Sequence, residues 1–103
     1  MYKLIFFVPV SHKELVKNAV FAAGAGKIGN YDCCSFESIG LGQFRALSGS
    51  NPYLGQQDIL EKLEEYKVEM VCQSEHIKAA VAALLSSHPY ETVAYEVYRI
   101  ESI

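Results

Sequence analysis

Two short segments of the sequence carry side chains that could do chemistry. In the first, His88-Pro89-Tyr90-Glu91, an imidazole and a carboxylate stand three residues apart. Such a pair could ligate a divalent metal ion or exchange a proton. Alternatively, Pro89 fixes a turn, Tyr90 packs, and His88 lies near a helix end, where positive charge is favoured. We prefer this packing role and keep His88 and Glu91 as the candidate metal ligands.

The second segment, Gly24-Ala25-Gly26-Lys27-Ile28-Gly29, has the spacing G-x-G-x-x-G. A dinucleotide-binding loop with this spacing follows a strand and opens a helix, whereas these glycines follow a predicted helix and precede a predicted strand. We therefore reject a dinucleotide site. Successive glycine amides can still face an anion, so we predict a ligand site at Gly26, Lys27, Gly29 and Arg45. A helix end followed by a turn is the alternative.

Hydrophobic patterning predicts two strand–helix–strand units that position these segments. Ser11 and Ser74 are expected to cap the two helices, and Gly24 and Pro89 to end them. The longest predicted loop covers residues 48–57. Strands are predicted over residues 2–10, 32–41, 67–73 and 92–100, a further short strand over 43–47, and a helical turn at the start of 58–65.

Two such units predict one α+β domain over residues 1–103. Its expected fold is ferredoxin-like, βαββαβ, with a four-stranded antiparallel sheet and both helices on one face. The other sheet face must be covered or polar. The apolar side chains of Phe6, Val8 and Tyr95 suggest that another subunit covers it, which predicts a homo-oligomer.

Composition excludes several classes of function. The 103 residues carry a net charge of −3, so there is no basic surface for nucleic acid. No apolar run approaches the ~20 residues of a membrane span, and the apolar run after Lys3 is too short for a secretory signal. We expect a cytoplasmic protein. Three cysteines without Cys-x-x-Cys spacing fit a reducing compartment and a packing role.

Three groups of residues together resemble a known domain. They are 24–31 with 34–36, 42–45 with 49–55, and 88–91 with 94–95. Their order and spacing resemble the small domain inserted in many bacterial Nif-three-like dinuclear-metal proteins, also called GTP cyclohydrolase type 2-like. We expect this domain to stand alone here. His88-Pro89-Tyr90-Glu91 is also similar to a segment of the CutA divalent-ion tolerance proteins, although Ala94-Tyr95-Glu96 departs from the Pro-Glu-Ile that usually follows there.

The resemblance implies a PII- and CutA-like fold. Relatives of this kind are commonly trimers that bind small ligands or metal ions, or regulate partners. The metal ligands of the larger family lie in flanking domains, so its hydrolase activity does not transfer. We therefore expect an oligomeric binding or regulatory domain without evident catalysis. The cofactor is unknown, with a divalent metal ion as a candidate. The alternatives are a purely structural interaction module and an enzyme that uses His88 as acid or base.

Overall fold

The computed structural model describes residues 1–103 as one four-stranded sheet covered by two helices. The sheet order is β2-β3-β1-β4, and every neighbouring pair of strands is antiparallel. This is the predicted α+β ferredoxin-like arrangement. Neither helix is long and apolar enough to cross a membrane. The elements are β1 (Tyr2–Pro9), a 3₁₀ turn (Val10–His12), α1 (Lys13–Ala22), β2 (Phe36–Arg45), β3 (Leu60–Cys72), α2 (Ile77–Ser87) and β4 (Tyr95–Arg99).

The strand register decides which side chains form the core. Alternate residues of a strand point to opposite faces. The even-numbered residues of β1 and β3 face the helices, and the odd-numbered residues face away from them. Phe6 and Val8 are fully buried against the helices, and Tyr95 pairs with Phe6 on that same face. These residues therefore do not lie on the open face, and the argument that they need a covering subunit there was wrong.

The hairpin of β2 and β3 is longer than predicted. Residues 58–65 do not begin as a helical turn, because Leu60–Glu65 already belong to β3. The separate strand predicted over 43–47 is the end of β2, which runs without interruption to Arg45. Because β1 ends where Pro9 pairs with Glu65, the outer part of the hairpin projects beyond the sheet.

The helix ends follow the prediction in part. Gly24 (φ +112°) closes α1 with the two hydrogen bonds of a Schellman motif, Gly24 N to Phe21 O and Ala25 N to Val20 O. Pro89 ends α2, since the residue before a proline avoids helical backbone and His88 is extended. The predicted serine caps are absent. Ser11 Oγ bonds His12 Nδ1, and Ser74 Oγ accepts from the amino terminus.

Candidate functional site

His88 joins the end of α2 to the end of β1. Only 7% of the residue is exposed. Its Nε2 lies 2.8 Å from Phe7 O and its Nδ1 lies 3.1 Å from Tyr90 N. A carbonyl oxygen can only accept and a backbone amide can only donate, so the ring is the neutral tautomer with the proton on Nε2. Burial lowers the pKa of His88 and keeps it neutral.

These two bonds bear on the chemistry expected of His88. Both ring nitrogens already have a partner, so the imidazole has no free lone pair for a metal ion and no free nitrogen for acid–base work. Neither the metal role nor the enzyme alternative gains support from this geometry. No group of three or more His, Cys, Asp and Glu side chains in the chain is placed to hold a metal ion.

Tyr90 stands at the centre of an aromatic cluster. Its ring centroid lies 4.8 Å from that of His88, and 6.3 Å from those of both Phe44 and Tyr53. These residues come from three separate parts of the chain: the end of β2, the long loop, and the turn after α2. Burial and the nearby Glu65 raise the pKa of Tyr90 to about 12, so its hydroxyl keeps its proton near neutral pH.

Glu65 places a carboxylate beside this cluster. Its Oε2 lies 3.5 Å from Tyr90 Oη, which donates to it. Gly42 on β2 makes room, because a Cβ at that position would overlap the Glu65 carboxylate. Burial raises the pKa of Glu65, which the Tyr90 hydroxyl only partly offsets. The carboxylate is therefore half-buried, and its hydrogen bond with Tyr90 does not make up for the water that it has lost.

The long loop is held over the aromatic cluster by Glu91. Both carboxylate oxygens of Glu91 accept from Asn51 N, at 3.0 and 3.1 Å. Asp58 N donates to Ala46 O at 2.7 Å, which closes the base of the loop. The loop predicted over residues 48–57 is thus ordered by contacts with the segment that follows α2.

These elements enclose a cleft of about 560 Å³. This is within the ~300–1,000 Å³ range of small-molecule sites. Its walls are mainly apolar, and its charged side chains are Glu65, Glu91 and Arg45. The lining residues are Phe7, Gln43, Phe44, Arg45, Ala46, Leu47, Ser50, Pro52, Tyr53, Leu54, Glu65, Tyr90, Glu91, Thr92 and Ala94.

The glycine loop lies elsewhere. Gly26 N donates to Val71 O at 2.8 Å, and Gly26 O accepts from Cys34 N at 2.8 Å, so this amide is already used. Gly26 has φ +80°, and a Cβ there would strike the Phe21 ring. Gly29 (φ +57°) forms the turn between Ile28 and Tyr31. The turn interpretation therefore explains both glycines.

Arg45 and Lys27 are not brought together in one chain. The glycine loop is near the start of β2, where Cys34 and Phe36 line a small surface hollow with Ile28. Arg45 is the last residue of that strand, roughly 30 Å away at ~3.3 Å per residue. Of the predicted ligand residues, the cleft contains Arg45 and Glu91. Glu65 was not predicted, because no local signal sets it apart in a glutamate-rich strand. Tyr90 was predicted only to pack.

The relatives of this chain are much longer proteins. Over 98 residues it is 46% identical to the GTP cyclohydrolase 1 type 2 homolog of Halalkalibacterium halodurans, covering 95% of this chain and 26% of that protein. Over 99 residues it is 42% identical to the homolog of Bacillus subtilis, covering 96% and 26%. The chain thus spans about a quarter of the length of these curated relatives. No protein-family model matches it.

Solved structures give the same assignment. A Bacillus cereus protein related to NIF3 superposes with a TM-score of 0.84 at 39% identity, over 98% of this chain and 26% of that chain. The periplasmic divalent cation tolerance protein CutA of Archaeoglobus fulgidus superposes with a TM-score of 0.69 at 14% identity, over 99% and 86%. The CutA likeness shows the fold alone. The predicted resemblance is confirmed: over about a quarter of their length this chain is homologous to the NIF3-related GTP cyclohydrolase 1 type 2 homologs, and it has a CutA- and PII-like fold.

Proposed function

We propose that the chain is a small-ligand binding and regulatory domain whose binding site is the cleft around Tyr90. The observation that carries the proposal is the joint construction of this cleft from β1, β2, β3, the long loop and the turn after α2. A ligand there would contact β1 and the turn after α2, which His88 connects, and the long loop, which Glu91 holds. Binding could thus change how the long loop sits on the sheet, which is what a regulatory domain requires.

The proposal differs from the sequence-based expectation in its residues. It keeps Arg45 and Glu91, which line the cleft. It does not rest on Gly26, Lys27 and Gly29, whose geometry is that of a turn. It uses His88 as a positioning residue, because both ring nitrogens are engaged. A homo-oligomer in a cytoplasmic setting, with a trimer favoured by the resemblance, remains part of the proposal.

The test is a thermal-shift screen of the purified chain with small molecules of three kinds: cations, anions and neutral compounds. A molecule that binds only the folded state raises its stability, by about 2.7 kcal/mol at one hundred times the dissociation constant. The cleft-filling variant Ala94→Trp should abolish the shift. Ala94 is exposed and lines the cleft, and its backbone bond to Phe7 does not involve the side chain.

Lys27→Ala is the matched control, because Lys27 is exposed and lies outside the cleft. The expected result is a shift that Lys27→Ala keeps and Ala94→Trp loses. The reverse pattern would return the site to the glycine loop. If no kind of molecule stabilises the wild type, the structural module becomes the better explanation.

A further inference from the structure

We propose that the cleft selects small organic cations, with an ammonium or guanidinium group held between the Glu65 carboxylate and the aromatic rings. This inference rests on the proposed function, since it names the ligand class of the same cleft.

The register places one acidic group at the base of the cleft. Glu65 lies opposite Gly40, and Glu61 lies opposite Phe44, so Glu65 and Phe44 share the sheet face that points away from the helices. Phe7 is on this face as well, because Pro9 pairs with Glu65 and odd-numbered residues of β1 alternate with the core. Arg45, the one cationic residue that lines the cleft, follows Phe44 directly, and its position in the strand alternates to the opposite face.

Glu65 has no cationic partner in the chain. The ion pairs of the structure involve Glu69, Glu14, Glu37 and Glu75, and none involves Glu65. Its hydrogen-bond donor is the Tyr90 hydroxyl, at a long 3.5 Å. A half-buried carboxylate in this state is stabilised by an added positive charge. The other carboxylate of the cleft, Glu91, already accepts the Asn51 amide.

The aromatic walls favour the same ligand class. The faces of aromatic rings carry partial negative charge and attract ammonium and guanidinium groups. The rings of Phe44 and Tyr53 flank Tyr90 at equal centroid distances of 6.3 Å. A cation between these rings and Glu65 would satisfy the carboxylate while its methylene groups cover the apolar lining. An anion would meet two carboxylates, Glu65 and Glu91, against the single cation Arg45, and would also face the negative faces of the rings.

The probes share a chain of four carbons and differ in charge. They are 1,4-diaminobutane and agmatine as cations, 1,4-butanediol as the neutral analogue and succinate as the anion. Binding to the purified full chain is followed by calorimetry and by changes in amide NMR shifts. We expect both cations to bind, with amide shifts at Phe44, Tyr53 and Tyr90, and the diol and succinate to bind at least tenfold more weakly.

Glu65→Gln removes the charge while leaving an oxygen that can accept from Tyr90. It should weaken cation binding at least tenfold. Glu64→Gln changes the net charge equally on the adjacent residue of the opposite face, and should change binding less than twofold. Gly42→Ala should also weaken binding, because its Cβ displaces the Glu65 carboxylate. This variant tests the position of the carboxylate without altering any charge.

The outcomes separate the two proposals. Cation binding that is equal in Glu65→Gln and Glu64→Gln overturns the cation inference. Binding of succinate in preference to the diamines, lost in Ala94→Trp, overturns it too but leaves the cleft as the binding site. If none of the compounds in the screen binds at a concentration of about 10 mM, their dissociation constants are all weaker than millimolar, and both proposals fail.

Discussion

At the scale of single residues, His88 has the clearest structural role. Both of its ring nitrogens form hydrogen bonds with the backbone, one with β1 and one with the turn that carries Tyr90. The aromatic cluster and the cleft depend on this turn, so the residue acts on the proposed site by holding its wall. In this chain, the histidine of the His-Pro-Tyr-Glu segment is therefore a buried residue that fixes the end of a helix against a strand.

This role predicts a pH dependence of stability. The pKa of His88 is lowered by burial in the folded state from its ordinary value of 6.5. Below pH 6.5 the unfolded chain takes up a proton that the folded chain does not. The contribution of His88 to the free energy of unfolding is therefore complete above pH 6.5. It is lost as the pH falls toward the lower folded-state pKa, by at most about 1.4 kcal/mol per pH unit.

The measurement is urea unfolding of the wild type and of His88→Gln between pH 8 and pH 5. Glutamine keeps an NH₂ group that can donate and an oxygen that can accept. The variant should therefore fold, with a free energy of unfolding lower by about 1–2 kcal/mol at pH 8, typical of a perturbed buried hydrogen-bonded group. The loss should shrink as the pH falls. Glu65 has the opposite effect on the stability of the folded state, because its pKa is raised. This effect is the same in the wild type and in the variant, so the difference between the two proteins does not contain it. A constant difference across this range would contradict the assignment.

At the scale of elements, a carboxylate between two lysines connects α1 to the edge strand β2. Glu37 accepts from Lys13 Nζ at 2.6 Å and from Lys17 Nζ at 2.7 Å. Lys13 also lies 4.0 Å from the centroid of the Tyr66 ring. The hydrogen bonds from both lysines lower the pKa of Glu37. This cluster ties down the inner half of β2, where the strand has only β3 as a neighbour.

Glu37→Gln should therefore lower the melting temperature at pH 7. The effect should diminish at high salt, which screens the ion pairs. The difference in stability between the wild type and the variant should also decrease as the pH falls from 4.5 through the folded-state pKa, because Glu37 of the wild type is then protonated. Glu14→Gln is the matched control, since Glu14 lies 3.6 Å from the same two lysines but is exposed. Equal effects of the two substitutions would show that the cluster acts through net charge alone.

At the scale of the whole molecule, the projecting hairpin dominates the shape. The molecule measures 46 × 25 × 24 Å, and its radius of gyration is 14.5 Å. A compact chain of this length has about 13 Å. The outer hairpin exposes an apolar surface on its helix-side face, which we call the hairpin patch: Ile39 (54% exposed), Leu41 (70%) and Leu60 (53%). Such a surface is typical of a contact between proteins.

The hairpin patch gives a better reason for a homo-oligomer than the one drawn from Phe6 and Val8. We expect the wild type to sediment as an oligomer at micromolar concentration, with a trimer favoured. Leu41→Lys should shift it toward monomer, because a charge cannot be buried unpaired in the contact. Leu15→Lys, which changes an exposed leucine of α1, should leave the mass unchanged. A wild-type monomer, or an unchanged mass for Leu41→Lys, would refute this role of the patch.

The sequence determined the order of the main strands and helices, because these depend on local signals, although it did not show the full length of the β2–β3 hairpin. Residues 2–9 are mostly apolar and rich in strand formers, Gly24 provides the left-handed backbone that ends α1, and Pro89 cannot continue α2. The family resemblance also came from local motifs. The helix starts were less predictable, since serine side chains choose between a backbone amide and another partner, and here Ser11 and Ser74 have the other partner.

Only the tertiary structure decided where the cleft lies. Glu65, Phe44, Tyr53 and Tyr90 are far apart in the chain, and their meeting depends on the register of β2 against β3 and on the loop held by Glu91. The same register separates Lys27 from Arg45, which the sequence had grouped by chemistry. The role of His88 also depends on tertiary structure, because Phe7 O, the partner of its Nε2, is reached only once the segment after α2 lies beside the end of β1. Side-chain chemistry is a local property, whereas the distance between side chains is set by strand pairing.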